Sequence, residues 1–284
     1  AGMGFGPYQF LLPWMNKRTD EYGGSLENRV RLMREIIEEM KEATHDSCGI
    51  ALRFSADALL KIPGEHMESE AHEIVSMLAD VPDLWDIKSS SWTVETASAR
   101  FAEQGAQEPW NSFAKKLTSK PVVGVGRFTS PDEMVSQIKR GVLDLIGAAR
   151  PSIADPFLPK KIDEGREDEI RECIGCNICV SGYHDSVPIR CTQNPTMGEE
   201  WRRGWHPERI PAGDPDTSVL IVGAGPAGLE CARALGQRGF AVTVAEAREE
   251  LGGRVTIEAQ LPSLSTWARV RDYRTNLIKT MSNV

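Results

Sequence analysis

Residues 121–127 read Pro121-Val122-Val123-Gly124-Val125-Gly126-Arg127, a short run of branched and small residues that stops at glycine and arginine. A run this short and apolar suits a strand buried on both faces, as in a parallel sheet. The same pattern stands on either side of it. Upstream are Ile50-Ala51-Leu52-Arg53-Phe54 and Leu84-Trp85-Asp86-Ile87-Lys88, and downstream is Leu143-Asp144-Leu145-Ile146-Gly147. Helical stretches separate them. The clearest begins at Ser25, where Val30, Met33, Ile36, Ile37 and Met40 share one face up to the turn His45-Asp46-Ser47. Such alternation gives consecutive βα units of an α/β fold. Polar and glycine residues gather at the strand C-termini, where barrels and open sheets place their chemistry. Four units are visible where a (β/α)8 barrel closes with eight, so residues 1–160 are expected to be the C-terminal half of a barrel.

Beyond Arg150 the pattern changes. Residues 161–210 form a separate segment with four cysteines between Cys173 and Glu208 and no clear period. A linker rich in turn formers follows at Ile210–Asp216. Then Ser218–Val222 runs as a strand straight into Gly223-Ala224-Gly225-Pro226-Ala227-Gly228, a helix to about Arg238, and a second strand Ala241–Ala245 ending at Glu246. This is the opening βαβ of a Rossmann-like nucleotide-binding domain, expected over residues 217–284. Because the chain starts at Ala1 and holds half a barrel and one βαβ, it is expected to be the middle of a longer enzyme, unable to hold a flavin alone.

Composition narrows the partners. The 284 residues are 40% hydrophobic and 26% charged, ordinary values for a globular chain, and the net charge is −8. Such a field repels phosphate backbones and anionic lipid, so neither nucleic acid nor membrane is an expected partner. No apolar run reaches the roughly 18–20 residues of a membrane-spanning helix, and no basic-then-apolar leader opens the chain; the expected location is cytoplasmic.

Cys173-Ile174-Gly175-Cys176-Asn177-Ile178-Cys179, completed by Cys191, is the strongest chemical signal. Three thiolates three residues apart can wrap one corner of a cubane within one loop, and a fourth from further on closes the cage, a spacing that suits [4Fe–4S]. Zinc, usually held by separated Cys-x-x-Cys pairs, and disulfides are the competing readings. Cys48 and Cys231 fall outside the set, and Cys231 is expected to be a small buried residue of its helix.

The glycine loop gains weight from its context. It follows an apolar strand and opens a helix, and Glu246 lies about 20 residues on, placed to accept ribose hydroxyls while Gly223, Gly225 and Gly228 admit a pyrophosphate to the helix N-terminus. Its alternative is a loop kept for helix–strand packing. Leu251-Gly252-Gly253-Arg254 resembles a second glycine turn of flavoprotein domains, which favours FAD or ADP in this site and adds Arg254 to it. At the barrel rim, Gly124-Val125-Gly126-Arg127 and Gly147-Ala148-Ala149-Arg150 each offer backbone N–H groups and a guanidinium, a pairing that makes a phosphate site. Either glycine run alone also reads as a structural turn. Arg53, near the end of an apolar strand, is either a countercharge for a reduced flavin or a salt-bridged barrel arginine.

Asn16-Lys17-Arg18-Thr19-Asp20-Glu21-Tyr22-Gly23-Gly24-Ser25-Leu26-Glu27-Asn28-Arg29, the strand-end Gly-Val-Gly-Arg, Ala149-Arg150-Pro151 and the cysteine set followed by Thr192-Gln193-Asn194 together resemble the old yellow enzyme branch that carries a [4Fe–4S] cluster. The likeness covers essentially the whole chain. Through Trp201–Glu208 and Ser152–Phe157 it is closest to the trimethylamine and dimethylamine dehydrogenases. The resemblance implies an FMN barrel, a cluster beside it and an ADP- or FAD-type domain. Carried over by position, it implies that Arg53 faces the flavin pyrimidine and that Gly126, Arg127, Ala149 and Arg150 hold the FMN phosphate. It also implies an aromatic bowl for an alkylammonium, with Trp92 and Tyr183 at two of its rings and Glu95 where an active-site aspartate stands. Without the resemblance, Trp92 and Tyr183 read equally well as packing and Glu95 as a solvated loop acid. Met3 stands where the amine dehydrogenases have an active-site histidine.

The implied activity is oxidative N-demethylation of a small methylated amine, with electrons leaving FMN through the cluster to an electron-transferring flavoprotein. The alternative runs the other way, from NAD(P)H to an activated C=C bond of an enoyl compound, and an electron-transfer module with no substrate of its own is a third class. A homo-oligomer is expected.

Overall fold

The computed structural model describes residues 6–55, 67–88, 99–204 and 210–284. They gather into two compact units, one within Ala1–Ser98 and Ala102–Ala148, the other within Ala99–Phe101 and Ala149–Val284.

The first unit is a four-stranded parallel sheet in the order β1 (Ala51–Ser55), β2 (Leu84–Lys88), β3 (Val122–Val125), β4 (Leu145–Gly147). Helices α1 (Pro7–Leu11) and α2 (Leu26–Ala43) precede it, α3 (Met67–Met77) joins β1 to β2, and α4 (Pro131–Lys139) joins β3 to β4. Sequential order with helical crossovers is the (β/α) pattern that the alternating sequence predicts. Pairing sets Leu52 beside Trp85 and Trp85 beside Val122, and Phe54 beside Ile87. All five are buried. The opposite side of the sheet carries a row in register, Arg53, Asp86, Val123 and Leu145, that is more open. Period-two alternation divides the two faces.

Local chemistry fixes the ends of these elements. Ser25 caps α2, its hydroxyl accepting the Asn28 N–H at 3.3 Å, with Glu27 in the first turn. Val30, Met33 and Ile37 are buried as their spacing predicts, but Met40 is 47% exposed because α2 outruns the surface it covers. Arg29, buried on α2, pairs with Glu70 of α3 at 2.7 Å. The Asp83 carboxylate accepts the Ile50 N–H at 2.9 Å just before β1, and Asp144 accepts the Val122 N–H at 2.8 Å at the start of β3.

The second unit holds the cysteine segment and the βαβ together. Helices α5 (Ala149–Ala154), α6 (Leu158–Asp163) and α7 (Ile178–His184) lead to β5 (Ser218–Val222), α8 (Pro226–Gln237) and β6 (Ala241–Ala245), followed by α9 (Arg254–Glu258) and α10 (Ala268–Lys279). β5 and β6 are parallel, with Ser218 beside Ala241 through Val222 beside Ala245, so α8 is their crossover. Ile221, Ala232 and Val242 form its core, flanked by Leu235, Phe240 and Ile278. Cys231 is exposed rather than buried, because the inward positions of α8 are Leu229, Ala232, Arg233 and Gly236. Ile174 of the cysteine loop packs with Val255 of α9 and Val270 of α10, and Cys176 and Trp267 lie against them. Among the described residues, no helix is long and apolar enough to cross a membrane.

Candidate functional site

The cysteine loop turns twice through left-handed backbone. Gly175 has φ 67° and Asn177 φ 58°, and Asn177 then opens α7, which carries Cys179. A β-carbon on Gly175 would lie 2.8 Å from the Arg100 backbone nitrogen, whose N–H donates to the Gly175 carbonyl at 3.0 Å. Glycine is therefore required here by both torsion and space. The resulting curl aims polar groups at sulfur. The Gly175 N–H donates to Cys173 Sγ at 3.4 Å, and the Thr192 hydroxyl lies 3.2 Å from Cys176 Sγ. Burial pushes the Cys179 thiol up, the Cys173, Cys191 and Cys176 thiols push the same way, and Arg150 opposes them. Burial also raises Cys191, against which the N–H groups of Asn194 and Gln193 act. The four half-buried thiols are thus electrostatic neighbours that favour an electron-withdrawing partner over four free thiolates. This donor set, with N–H groups directed at sulfur, fits an iron–sulfur cluster. Among the described residues, no three His, Cys, Asp or Glu side chains converge on a single metal ion, whereas a cubane spreads its four thiolates over different irons.

Arg150 is the second residue of α5, and its Nη1 donates to Asn177 Oδ1 at 2.6 Å, so it braces the cysteine loop. Ala149 is the first residue of the same helix. The turn after Cys191 is tied from several sides. Asn194 donates from Nδ2 to the Ile153 carbonyl at 2.9 Å, and its Oδ1 accepts from the Thr196 N–H and hydroxyl at 3.0 and 2.8 Å. Beneath it, Asp155, fully buried, accepts from Lys161 Nζ at 2.6 Å and from the Arg171 N–H at 2.8 Å. Tyr183, near the end of α7, is 59% exposed and lies edge-on to His184 with centroids 5.7 Å apart.

The glycine loop between β5 and α8 separates three roles. Gly223 has φ 96°, which favours glycine by torsion. A β-carbon on Gly228 would strike the Gly223 carbonyl at 1.9 Å, so Gly228 serves helix–loop packing. Gly225 has an ordinary extended backbone and nothing within 4 Å of its missing β-carbon. Neither torsion nor protein packing explains it, and the open space at the head of a 12-residue helix fits a close-approaching anion. Glu246 accepts the Ala224 N–H at 2.7 Å and the Arg248 N–H at 3.1 Å, which hold its carboxyl below the usual range. It remains ionised, with lone pairs left for ribose hydroxyls. A cleft of about 160 Å³ lies beside it, lined by Leu229, Val244, Leu251 and Ile278. Arg254 is 87% exposed and pairs with Glu258 on its own helix at 2.5 Å.

In the barrel-like unit, Gly126 follows β3 at the strand C-terminal end, where its missing β-carbon would meet the Gly105 backbone at 2.9 Å. Arg127, buried with φ 55°, donates from Nη2 to the Ala102 carbonyl at 2.6 Å. Arg53 is 62% exposed on the open face of the sheet and pairs with Asp86 at 2.6 Å, its partner in register on β2. Ser55, the last residue of β1, keeps a buried hydroxyl with no hydrogen-bond partner among the described residues. An orphaned hydroxyl at the strand end, two residues beyond Arg53, fits a polar cofactor at that end. Met3, Trp92 and Glu95 lie outside the described residues. Sequence reasoning did not single out Asp86, Asp155, Glu230 or Arg274, each of which has a partner 16 or more residues away in the chain.

Comparison with known proteins follows the same division. The NADH:flavin oxidoreductase / NADH oxidase family matches residues 1–169, and an NAD(P)-binding Rossmann-like domain matches residues 221–283. Dimethylamine dehydrogenase of Hyphomicrobium sp. (strain x) is 46% identical over 274 residues, 95% of this chain and 37% of that protein. The structure of histamine dehydrogenase from Rhizobium sp. 4-9 is 55% identical with a TM-score of 0.94, covering all of this chain and 41% of its own. That of 6-hydroxypseudooxynicotine amine oxidase from Pseudomonas geniculata N1 is 55% identical with a TM-score of 0.90, covering 98% of this chain and 42% of its own. The chain thus spans about two fifths of the length of these relatives.

Proposed function

The chain belongs to the NADH:flavin oxidoreductase / NADH oxidase family, and we propose that it is part of an iron–sulfur amine dehydrogenase that oxidises a small, methylated amine. The observation that carries this is the thiol set Cys173, Cys176, Cys179 and Cys191 with N–H groups turned toward sulfur, in a chain 46–55% identical to amine-oxidising relatives. Bound FMN supplies hydride acceptance from the carbon beside nitrogen, and a bound [4Fe–4S] cluster supplies one-electron transfer to an electron-transferring flavoprotein.

The chain's own residues bind and orient. Residues 1–160 serve as the flavin-bearing part, 161–210 as the cluster segment and 217–284 as the start of the nucleotide domain. Arg53, steadied by Asp86, offsets negative charge on the flavin pyrimidine. Gly126 and Arg127 at one strand end, and Ala149 and Arg150 after the next, contribute to FMN phosphate binding. Trp92 and Tyr183 offer aromatic faces to an alkylammonium and Glu95 supplies its countercharge, while Met3 takes the place of a titratable group with an apolar one. Gly225 leaves room for the pyrophosphate of ADP or FAD, and Glu246 receives its ribose.

Anaerobic mixing of the full-length protein with dimethylamine and trimethylamine tests the direction of flow. Bleaching of the flavin by either amine is expected; bleaching by NADH alone, with neither amine effective, contradicts it. The match of residues 221–283 to an NAD(P)-binding domain favours a second reading, NAD(P)H-driven reduction of an activated C=C bond, and that second outcome is its signature.

A further inference from the structure

Gln193 stands two residues beyond Cys191 and is 1% exposed. Its four polar groups work in three directions. Its backbone N–H faces the Cys191 sulfur. Its Nε2 donates to the Glu172 carbonyl at 3.2 Å, one residue ahead of Cys173. Its two oxygens, Oε1 and the backbone carbonyl, both accept from the Arg274 guanidinium of α10, at 2.9 and 3.2 Å. Gln193 therefore joins the fourth cysteine to the loop segment that carries the first.

Arg274 is itself 3% exposed, and four of its five N–H groups donate to named partners. Nη1 also donates to the Val270 carbonyl at 2.9 Å, and Nε donates to Glu230 Oε2 at 2.8 Å. Glu230 lies on α8, one turn past the glycine loop, and is shared with Arg233 at 2.6 Å. The partners of Arg274 in sequence are 44 and 81 residues away, so this is a tertiary clamp and not a helix-surface pair. A planar, five-donor guanidinium can grip two oxygens of one residue and a carboxylate at once, which an ammonium cannot. Around Glu230, the buried cations Arg233, Arg274 and Arg171 outnumber the anion. An excess of buried positive charge beside four thiolates and iron favours the reduced, more negative cluster.

Given a cluster at the four thiols, as proposed above, we propose that Arg274 is its positioning residue: held by Glu230, it fixes Gln193 and so closes the Cys191 side of the cage. Outer contacts of this kind govern how long a metal site holds its metal.

The test uses the full-length protein purified anaerobically, with three readouts: iron and sulfide content, the rate of iron release to a ferrous chelator, and the cluster midpoint potential. Arg274→Met is expected to release iron about 10–100-fold faster than the unaltered protein and to shift the potential negative, with flavin content unchanged. Arg274→Lys keeps the charge without the fork, so it is expected to restore the potential while leaving release fast. Gln193→Met removes the Glu172 and Arg274 side-chain contacts but leaves the Arg274–Glu230 pair; it decides the matter if Arg274→Met does not fold, with about tenfold faster release expected. Unaltered release rates and potentials in these variants overturn the positioning role. Unaltered protein that carries no iron and sulfide overturns the cluster reading instead.

Discussion

Replacing Gly175 by alanine probes the cysteine loop at its tightest point. At φ 67° an alanine costs about 1–2 kcal/mol more than glycine. Its β-carbon would stand 2.8 Å from the Arg100 nitrogen and 3.0 Å from the Ala99 carbonyl carbon, backbone atoms that cannot rotate away. Overpacking of this kind costs about 1–3 kcal/mol, and loss of the Arg100 N–H bond to the Gly175 carbonyl about 1 kcal/mol more. The expected destabilisation is thus about 3–6 kcal/mol. Gly165 provides the control: its φ is 65°, but nothing lies within 4 Å of its missing β-carbon, so alanine there carries the torsional cost alone. For a unit of this size each kcal/mol lowers Tm by roughly 2–4 °C. Thermal unfolding followed by near-UV circular dichroism should place Gly175→Ala roughly 5–15 °C below Gly165→Ala, with faster iron loss. Equal melting temperatures and equal iron retention in the two variants would refute the steric account of the loop.

Other perturbations follow from the same structure. Gly225→Ala meets no protein atom, so stability should hold while ADP affinity, read by calorimetry, falls at least about tenfold; unchanged affinity would show that nothing approaches there. Asp155→Ala strands buried Lys161 and the Arg171 N–H, and chemical denaturation should show a loss of about 3–5 kcal/mol; a loss under about 1 kcal/mol would contradict the network. The Glu108 carboxyl is held down to about 2 by its hydrogen bond with Arg140, with burial opposing and Gln137 assisting. A depressed carboxylate contributes stability that is complete above its ordinary value of 4.5 and fades as pH falls toward 2. Melting curves of Glu108→Gln should therefore lie below those of the unaltered protein near neutrality and converge with them in that acid window; a constant offset would refute the linkage.

What the sequence discloses is what depends on neighbours in the chain. The four barrel-like strands are legible because short apolar runs recur between helical stretches, although one face of the sheet is more open than an all-buried run implies, and the βαβ because its glycine loop, crossover helix and second strand are consecutive. Helix α2 is legible at its start, where Ser25 precedes the apolar face, and less so at its end, where Met40 keeps the period but has no surface to cover. The cysteine spacing is local, and so is the left-handed turn at Gly175. The support is not local. Arg53 meets Asp86 only through strand register, Arg150 reaches Asn177 across 27 residues, and Arg274 reaches Gln193 across 81. Nothing in the periodicity of α10 marks Arg274 as buried, because its cost is offset by Glu230 and Gln193 from other elements. Gly126 shows the converse: a glycine that reads as a ligand contact is also required by the Gly105 backbone packed against it.

The central claim is that Cys173, Cys176, Cys179 and Cys191 hold one iron–sulfur cluster. Iron and acid-labile sulfide in the anaerobically purified protein, with electron paramagnetic resonance after dithionite reduction, test it most directly. The account predicts about four of each per chain and a reduced-cluster signal that Cys191→Ser diminishes or abolishes. One zinc per chain, with no sulfide and no signal, would contradict it.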